Sequence, residues 1–332
     1  MEERAPTTTP HSPSSRIRIL TLNLFLRPPL IHSHDSDHKA SRSARFISTV
    51  LPHYDIIALQ ECFAFGTSRR DALIRDARKA GFEHHYACPK GSLFRAQIDG
   101  GLLILSRLEI VQTGSVVFGR GVHSDWLAAK GVIYAKIALT PTSHLHLFTT
   151  HLQASYGGGP HPFTAPSVQI RAAQLEIAKT FIDETLATHL PSSSHATDRV
   201  LFVGDFNVNG RPVTANEVQH GDEYKRMMDI LGKGCTVRDL LYGASGDGMH
   251  PVTTGTLFAG TVEPSQSSID YMFEIVPGGA GAADGGGGGG LRFEEVKREE
   301  FKMDPAEGLP YTHISDHLGV SCVLVTEPPA SH

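Results

Sequence analysis

The sequence predicts one α/β domain spanning about residues 16–326 of a 332-residue chain. Three observations carry that expectation. Apolar runs of strand length recur from Ile17 to Val325, and stretches of helical period lie between them. The residues left outside this series are too few for a second core. The third is the run Val200-Leu201-Phe202-Val203-Gly204-Asp205-Phe206-Asn207, which reads as a buried strand, a glycine turn and a polar pair. Period two along an extended chain puts Asp205 and Asn207 on one face. An acceptor and a donor at a rigid strand end suit catalysis; an ordinary Asp/Asn turn is the alternative.

The elements follow in order. Ile17 to Asn23 reads as the first strand. The cluster His32, His34, Asp35, Asp37 and His38 matches no metal spacing and reads as a solvated polar loop. Ala40, Ala44, Ile47 and Val50 fall at helical spacing, so Lys39–Leu51 is expected to be a helix. Tyr54–Glu61 is a strand ending in a carboxylate, and Asp71–Ala80 a helix. Strands are expected over Gly100–Ser106, Gly131–Ile137 and Leu145–His151. Short links between the strands favour antiparallel neighbours. Ser167–Thr188 is the longest helix signal, followed later by a short helix at Glu223–Leu231. Ser268–Ile275, Leu291–Phe301 and Gly319–Val325 close the series as strands. The Gly/Ala tract 277–290 buries too little to offset its ordering entropy; it reads as an expanded hairpin loop inserted in the domain, with a domain linker as the alternative. Residues 1–15, rich in Pro, Ser and Thr, are expected to be a disordered tail, and 327–332 a C-terminal tail.

Composition excludes several classes. A net charge of −5 gives no general footprint for nucleic acid, so that partner is not expected. No apolar run reaches the roughly 18 residues of a membrane span, and no secretion signal precedes the domain. Cys62, Cys88, Cys235 and Cys322 are scattered without a Cys-x-x-Cys pair, which suits free thiols in a reducing compartment. A cytoplasmic monomer touching membranes only peripherally is the expectation.

Polar residues stand where core strands stop: Asn23, Glu61, His151, Asp205 with Asn207, and Ser315-Asp316-His317. Together they point to one shared site at a sheet edge. The ordered stretches Thr21-Leu22-Asn23, Leu59-Gln60-Glu61, Thr150-His151-Leu152, Gly204-Asp205-Phe206-Asn207, Ile269-Asp270-Tyr271 and Ser315-Asp316-His317 resemble the endonuclease/exonuclease/phosphatase superfamily of magnesium-dependent phosphoesterases. That resemblance implies a four-layer sandwich of two packed mixed sheets flanked by helices, a DNase-I-like fold.

Residue types and the resemblance then assign roles. Glu61 and Asp316 are hard oxygen ligands with no soft partner, which suits Mg²⁺, with Mn²⁺ as a substitute. The family places the principal metal ligand at Glu61, helped by Asn23. His317 is the candidate general base, held in its tautomer by Asp270. Asn207 and His151 can donate to non-bridging phosphate oxygens, and Asp205 can orient the attacking water. The implied reaction is in-line attack of water on phosphorus without a covalent intermediate.

Asp125-Trp126-Leu127-Ala128-Ala129-Lys130-Gly131 is similar to the Asp-x-x-x-x-Lys-Gly segment of neutral and bacterial sphingomyelinases. Thr150–Ala154 and the Ser167-Val168-x-x-Arg171-x-x-Gln174-Leu175 stretch resemble the same branch. The resemblance implies a phospholipid substrate at a membrane surface, with Lys130 and Asp125 contacting it. As an exposed loop ion pair the two would contribute only about 0–1 kcal/mol to stability. Trp126 and Leu127 are candidates either for shallow membrane insertion or for the core. A nuclease or inositol-phosphate phosphatase of the same fold is the alternative activity. A non-catalytic lipid- or protein-binding relative is the second alternative.

Overall fold

The computed structural model describes residues 16–29, 31, 35–91, 97–156, 161–211, 221–245, 248–254, 267–278 and 291–326. The two expected tails, His32 and His34, and residues 279–290 of the glycine tract lie outside the described residues. Two six-stranded sheets form the centre. Their strands are β1 (Arg16–Leu26), β2 (Ile56–Cys62), β3 (His84–Ala87), β4 (Leu103–Ser106), β5 (Ile110–Val117), β6 (Gly131–Thr140), β7 (Ser143–His151), β8 (Arg199–Asp205), β9 (Cys235–Asp239), β10 (Asp270–Pro277), β11 (Leu291–Glu299) and β12 (Gly319–Thr326). The first sheet has the order β11-β12-β1-β2-β4-β3, and the second β5-β6-β7-β8-β10-β9. The helices are α1 (Lys39–Arg45), α2 (Arg69–Lys79), α3 (Pro166–His189), α4 (Asp222–Leu231) and α5 (Leu240–Gly243).

Side-chain parity builds the layers. Ile17 and Ile19 of β1, Ile56 and Ala58 of β2, Leu145 and Leu147 of β7, and Leu201 and Val203 of β8 face one another between the sheets. The intervening Leu20, Leu22, Ile57 and Leu59 face outward, where Phe46 and Leu73 cover them. Likewise Phe148, Val200 and Phe202 face out against Leu175, Ala178 and Ile182 of α3. The result is helix, sheet, sheet, helix. Each fully buried Leu, Ile or Phe side chain contributes roughly 1.5–3 kcal/mol.

The same parity places the site. Counting on by twos from the inter-sheet residues reaches Asn23, His151 and Asp205, and counting back from Met272 reaches Asp270. The inner faces of both sheets therefore run out into polar side chains at one edge. Just beneath, Thr21, Gln60 and Thr149 form a buried polar layer, with Gln60 Nε2 donating to Thr21 Oγ1 at 3.1 Å and Thr149 Oγ1 at 3.0 Å.

Several expectations need correction. β1 and β2 pair in parallel, as do β7 and β8, whereas β2–β4 and β6–β7 are antiparallel. Parallel neighbours need a long crossover, which α1 and α3 supply. The sequence reading missed β3, β5 and β9. All three are sheet edges, half-exposed and without an apolar run. The stretch from Lys39 is not one α-helix: it passes into a π turn at Phe46–Val50 and a 3-10 turn at Leu51–His53. The glycine tract does not close a hairpin, because β10 pairs with β8 and β9 while β11 pairs with β12 in the other sheet. Asp37 is buried, not solvated, 2.8 Å from Arg27 and 3.5 Å from Lys39.

Candidate active site

Asp205 is the hub of the cluster. One of its oxygens, Oδ2, accepts from Asn23 Nδ2 at 3.0 Å, and lies 3.4 Å from His151 Nε2 and 3.7 Å from His317 Nε2. The other, Oδ1, accepts from the Asn207 backbone N–H at 3.0 Å. Gly204 makes the approach possible: its φ is +135°, and a Cβ there would stand 2.1 Å from the Thr150 carbonyl of β7. Asn23 Nδ2 also donates to Glu61 Oε1 at 3.2 Å, while its Oδ1 accepts from Phe25 N at 3.0 Å. So placed, Asn23 orients the two acids more than it offers a ligand oxygen. Glu61 and Asn207 both adopt positive φ, +54° and +53°, which turns each away from strand parity. Such backbone costs about 1–3 kcal/mol for a side chain like Glu and recurs at functional sites. The strand ends at Asp205, not Asn207. Asn207 belongs to the Asp/Asn turn and donates its Nδ2 to Leu152 O at 3.0 Å. Of the two readings weighed from sequence, the structure shows the Asp/Asn turn, and it keeps Asp205 inside the polar cluster.

His317 Nδ1 lies 3.0 and 2.9 Å from the two carboxylate oxygens of Asp270. This leaves Nε2 turned toward Asp205. Burial alone would lower the His317 pKa, but Asp270 and Asp205 raise it well above its ordinary value. Burial also pushes the Asp205 carboxyl up to about 7, against the pull of His317. At 3.7 Å, each of the two groups biases the charge of the other. Replacing Asp270 by Asn removes one negative neighbour, so the acid limb of the kcat/KM profile is expected to move to lower pH while the rate falls. A limb that stays in place under that substitution assigns the base elsewhere.

Burial raises the pKa of Glu61, and repulsion from Asp316 adds to it. Asp316 is likewise raised by burial. Glu61 Oε2 is buried with no hydrogen-bond partner. A buried carboxylate oxygen without a donor, beside a second acid, is an arrangement that a divalent cation relieves. Asp205, Asp270 and His317 also lie with ligand atoms within 4.8 Å of one another. Their ring and carboxylate atoms already satisfy each other, so Glu61 with Asp316 fits a hard cation better.

Lys130 is not on an exposed loop. It is buried, and its Nζ donates to Asp125 Oδ2 at 2.8 Å and Leu152 O at 2.7 Å, and meets His151 Nε2 at 3.1 Å. Asp125 Oδ2 in turn accepts from Ala154 N at 2.7 Å. Burial and then Lys130 lower the His151 pKa well below its usual value, so its ring is neutral. Its Nδ1 is buried without a partner. Trp126 and Leu127, in contrast, are exposed rather than core.

Several supporting residues had no assigned role in the sequence reading. Arg42, fully buried, donates to the carbonyls of Leu24, Phe25, Asp37 and Ile314, and so ties the segment after Asn23 to the one before Asp316. A single arginine in a polar helix gives no signal of this. Thr253 Oγ1 accepts from Ile269 N and Asp270 N and sets the start of β10. Gln153 bonds both backbone groups of Val122, and Gln174 Oε1 accepts from Gln153 N at 2.8 Å. Arg171 reaches Gln153 O and Ser155 from the same helix. These bonds explain the Arg171 and Gln174 spacing: α3 fixes the 151–155 segment, which fixes the loop carrying Asp125.

With this geometry in place, residues 20–273 match the Endonuclease/Exonuclease/phosphatase family. The chain belongs to that family. A sphingomyelinase of Dictyostelium discoideum is 28% identical over 367 residues, covering 90% of this chain and 77% of that protein. Sphingomyelinases C of Leptospira interrogans and Bacillus cereus match over only 34% and 30% of their own lengths. Family membership together with the sphingomyelinase relatives indicates a phosphodiesterase hydrolase by class. Among solved structures, a Staphylococcus aureus beta toxin variant with bound magnesium ions superposes with TM-score 0.61 at 18% identity, over 92% of this chain and 98% of that one. D. rerio TDP2 complexed with single-strand DNA product superposes with TM-score 0.60 at 18% identity, over 94% and 100%. At these identities the structures share the fold, the two-sheet sandwich expected for the family member.

Proposed function

We propose that this chain is a Mg²⁺-dependent phosphodiesterase that hydrolyses sphingomyelin to ceramide and phosphocholine. It would act as a monomer in peripheral contact with a membrane. The observation that carries this reading is Lys130, locked by Asp125 and His151 beside the acid cluster at the Asp-x-x-x-x-Lys-Gly stretch. The Dictyostelium sphingomyelinase, matched over most of both chains, supports it. Among the described residues no helix is long and apolar enough to cross a membrane.

Glu61 and Asp316 would hold the cation, with Mn²⁺ as a substitute. When bound it would polarise phosphate oxygens and neutralise developing charge. The chain's own residues supply the rest. His317 Nε2, 3.7 Å from Asp205 Oδ2, takes the proton of the attacking water, and Asp205 orients that water. Asp270 holds the ring. Lys130, His151 Nδ1 and the Asn207 amide supply positive charge and donors for the non-bridging oxygens as the water–phosphorus bond forms and the ceramide oxygen departs.

A second reading, a nuclease, draws on the shared fold of TDP2 with its DNA product. The net charge of −5 weighs against it. One purified enzyme assayed on sphingomyelin, an inositol polyphosphate and nicked DNA separates them. Phosphocholine release is expected to dominate. Cleavage of DNA or inositol phosphate with sphingomyelin untouched would sink the lipid assignment and leave the fold standing.

A further inference from the structure

Ten large apolar side chains are exposed among the described residues, and five of them ring the mouth of the acid cluster: Ile31, Phe65, Trp126, Leu127 and Tyr156. Their exposure runs from 38% at Ile31 to 50% at Tyr156. They come from four separate loops that leave or enter the site strands: after β1, after β2, before β6 and after β7. The loops touch in sequence around the rim. Gly66 abuts Pro29, with a Cβ there lying 3.5 Å from the proline ring. Asp99 Oδ2 accepts from Phe65 N at 3.0 Å, and the adjacent Ile98 N donates to Leu127 O at 2.8 Å. The Tyr156 hydroxyl bonds Ser124 Oγ, and its ring meets His123 edge-on at 5.6 Å. Arg120 stacks over Trp126 at 4.0 Å from the ring centre.

We infer that this rim is the face by which the enzyme seats on a zwitterionic lipid bilayer, deepening the phosphodiesterase reading on which it rests. The side chains are separate tips on loops, not the walls of a groove, so they present no shape for a folded partner. Trp and Tyr favour the headgroup level of a bilayer, where one end of the ring is apolar and the other wet. Leu127 and Phe65 supply the apolar wedge, and the guanidinium of Arg120 beside Trp126 can remain at phosphate depth. Seating the rim brings the cluster inside it down onto headgroups, with no need to lift a lipid far from the layer.

Trp126 is the single tryptophan of the chain and reports on this face directly. The test titrates the full chain, in chelator to stop turnover, with vesicles of phosphatidylcholine and sphingomyelin. Trp126 emission is expected to move to shorter wavelength, and acyl-chain-brominated lipid is expected to quench it. Leu127→Glu and Phe65→Ser are each expected to weaken vesicle binding by about tenfold or more. Neither should change turnover of a short-chain sphingomyelin dissolved as monomers. Binding with Trp126 emission unmoved, no binding at all, or equal loss on monomers and vesicles would each overturn the proposal. Quenching by vesicles in chelator, followed by no phosphocholine release once Mg²⁺ is restored, would uphold this face and overturn the sphingomyelinase reading.

Discussion

Glu61→Gln is expected to lower turnover on the order of 10³-fold, the several kcal/mol that a bound cation supplies, while leaving the ion-free protein as stable as before or more so. The two effects separate because of what Glu61 meets. Its Oε2 has no partner, and Asp316 and burial both oppose its charge. Gln keeps the shape and the contact with Asn23 but removes the repulsion. The pH dependence follows with a definite sign. Glu61, Asp316 and Asp205 all have raised carboxyl pKa values, Asp205 at about 7. The folded state then binds more protons than the unfolded one. The stability they contribute is complete below about pH 4 and is lost as pH rises through the folded values. Mg²⁺ is therefore expected to raise the melting temperature more at pH 8 than at pH 5, and Glu61→Gln is expected to abolish most of that increment. Thermal denaturation with and without Mg²⁺ at the two pH values reads both. A Mg²⁺ increment that survives in Glu61→Gln would place the ion elsewhere.

Lys130→Ala is expected to damage both stability and activity. The ammonium is buried and holds Asp125, His151 and Leu152. Its removal leaves Asp125 buried without its cation, which costs about 3–5 kcal/mol. An exposed pair would have cost almost nothing, so burial reverses what the sequence suggested. Turnover is expected to fall by about 10² or more if the charge faces the phosphate. Folding and chemistry are separated by the double variant Asp125→Asn with Lys130→Met, which removes both charges at similar volume. It is expected to recover much of the stability and none of the turnover. Recovery of turnover in the double variant would show that Lys130 only holds the loop.

The strands that carry the site were legible because their chemistry is uniform. Runs such as Leu201-Phe202-Val203 are apolar on both faces, since helices cover one side and the second sheet the other. Their polar ends then stand out, and parity brings Asn23, His151, Asp205 and Asp270 to one edge. Edge strands β3, β5 and β9 were not legible, because solvent on one side leaves no apolar run to read. Pairing direction depends on where a crossover travels, which local pattern does not record. The burial of Lys130 was hidden for a related reason. Its partners His151 and Leu152 end a different strand and meet it only through the β6–β7 pairing and the bonds that Gln153 makes to the Val122 loop. Arg42 was invisible because its hydrogen bonds go to backbone carbonyls, two of them in segments far along the chain.

The most direct test is phosphocholine release from sphingomyelin by one purified preparation, first in excess chelator and then with Mg²⁺ added back. Release is expected to be absent in chelator, to rise to a plateau as Mg²⁺ is restored, and to be absent throughout for Glu61→Gln. Equal release in chelator and in Mg²⁺ would contradict a metal centre built on Glu61 and Asp316, and no release under either condition would contradict the assignment of substrate.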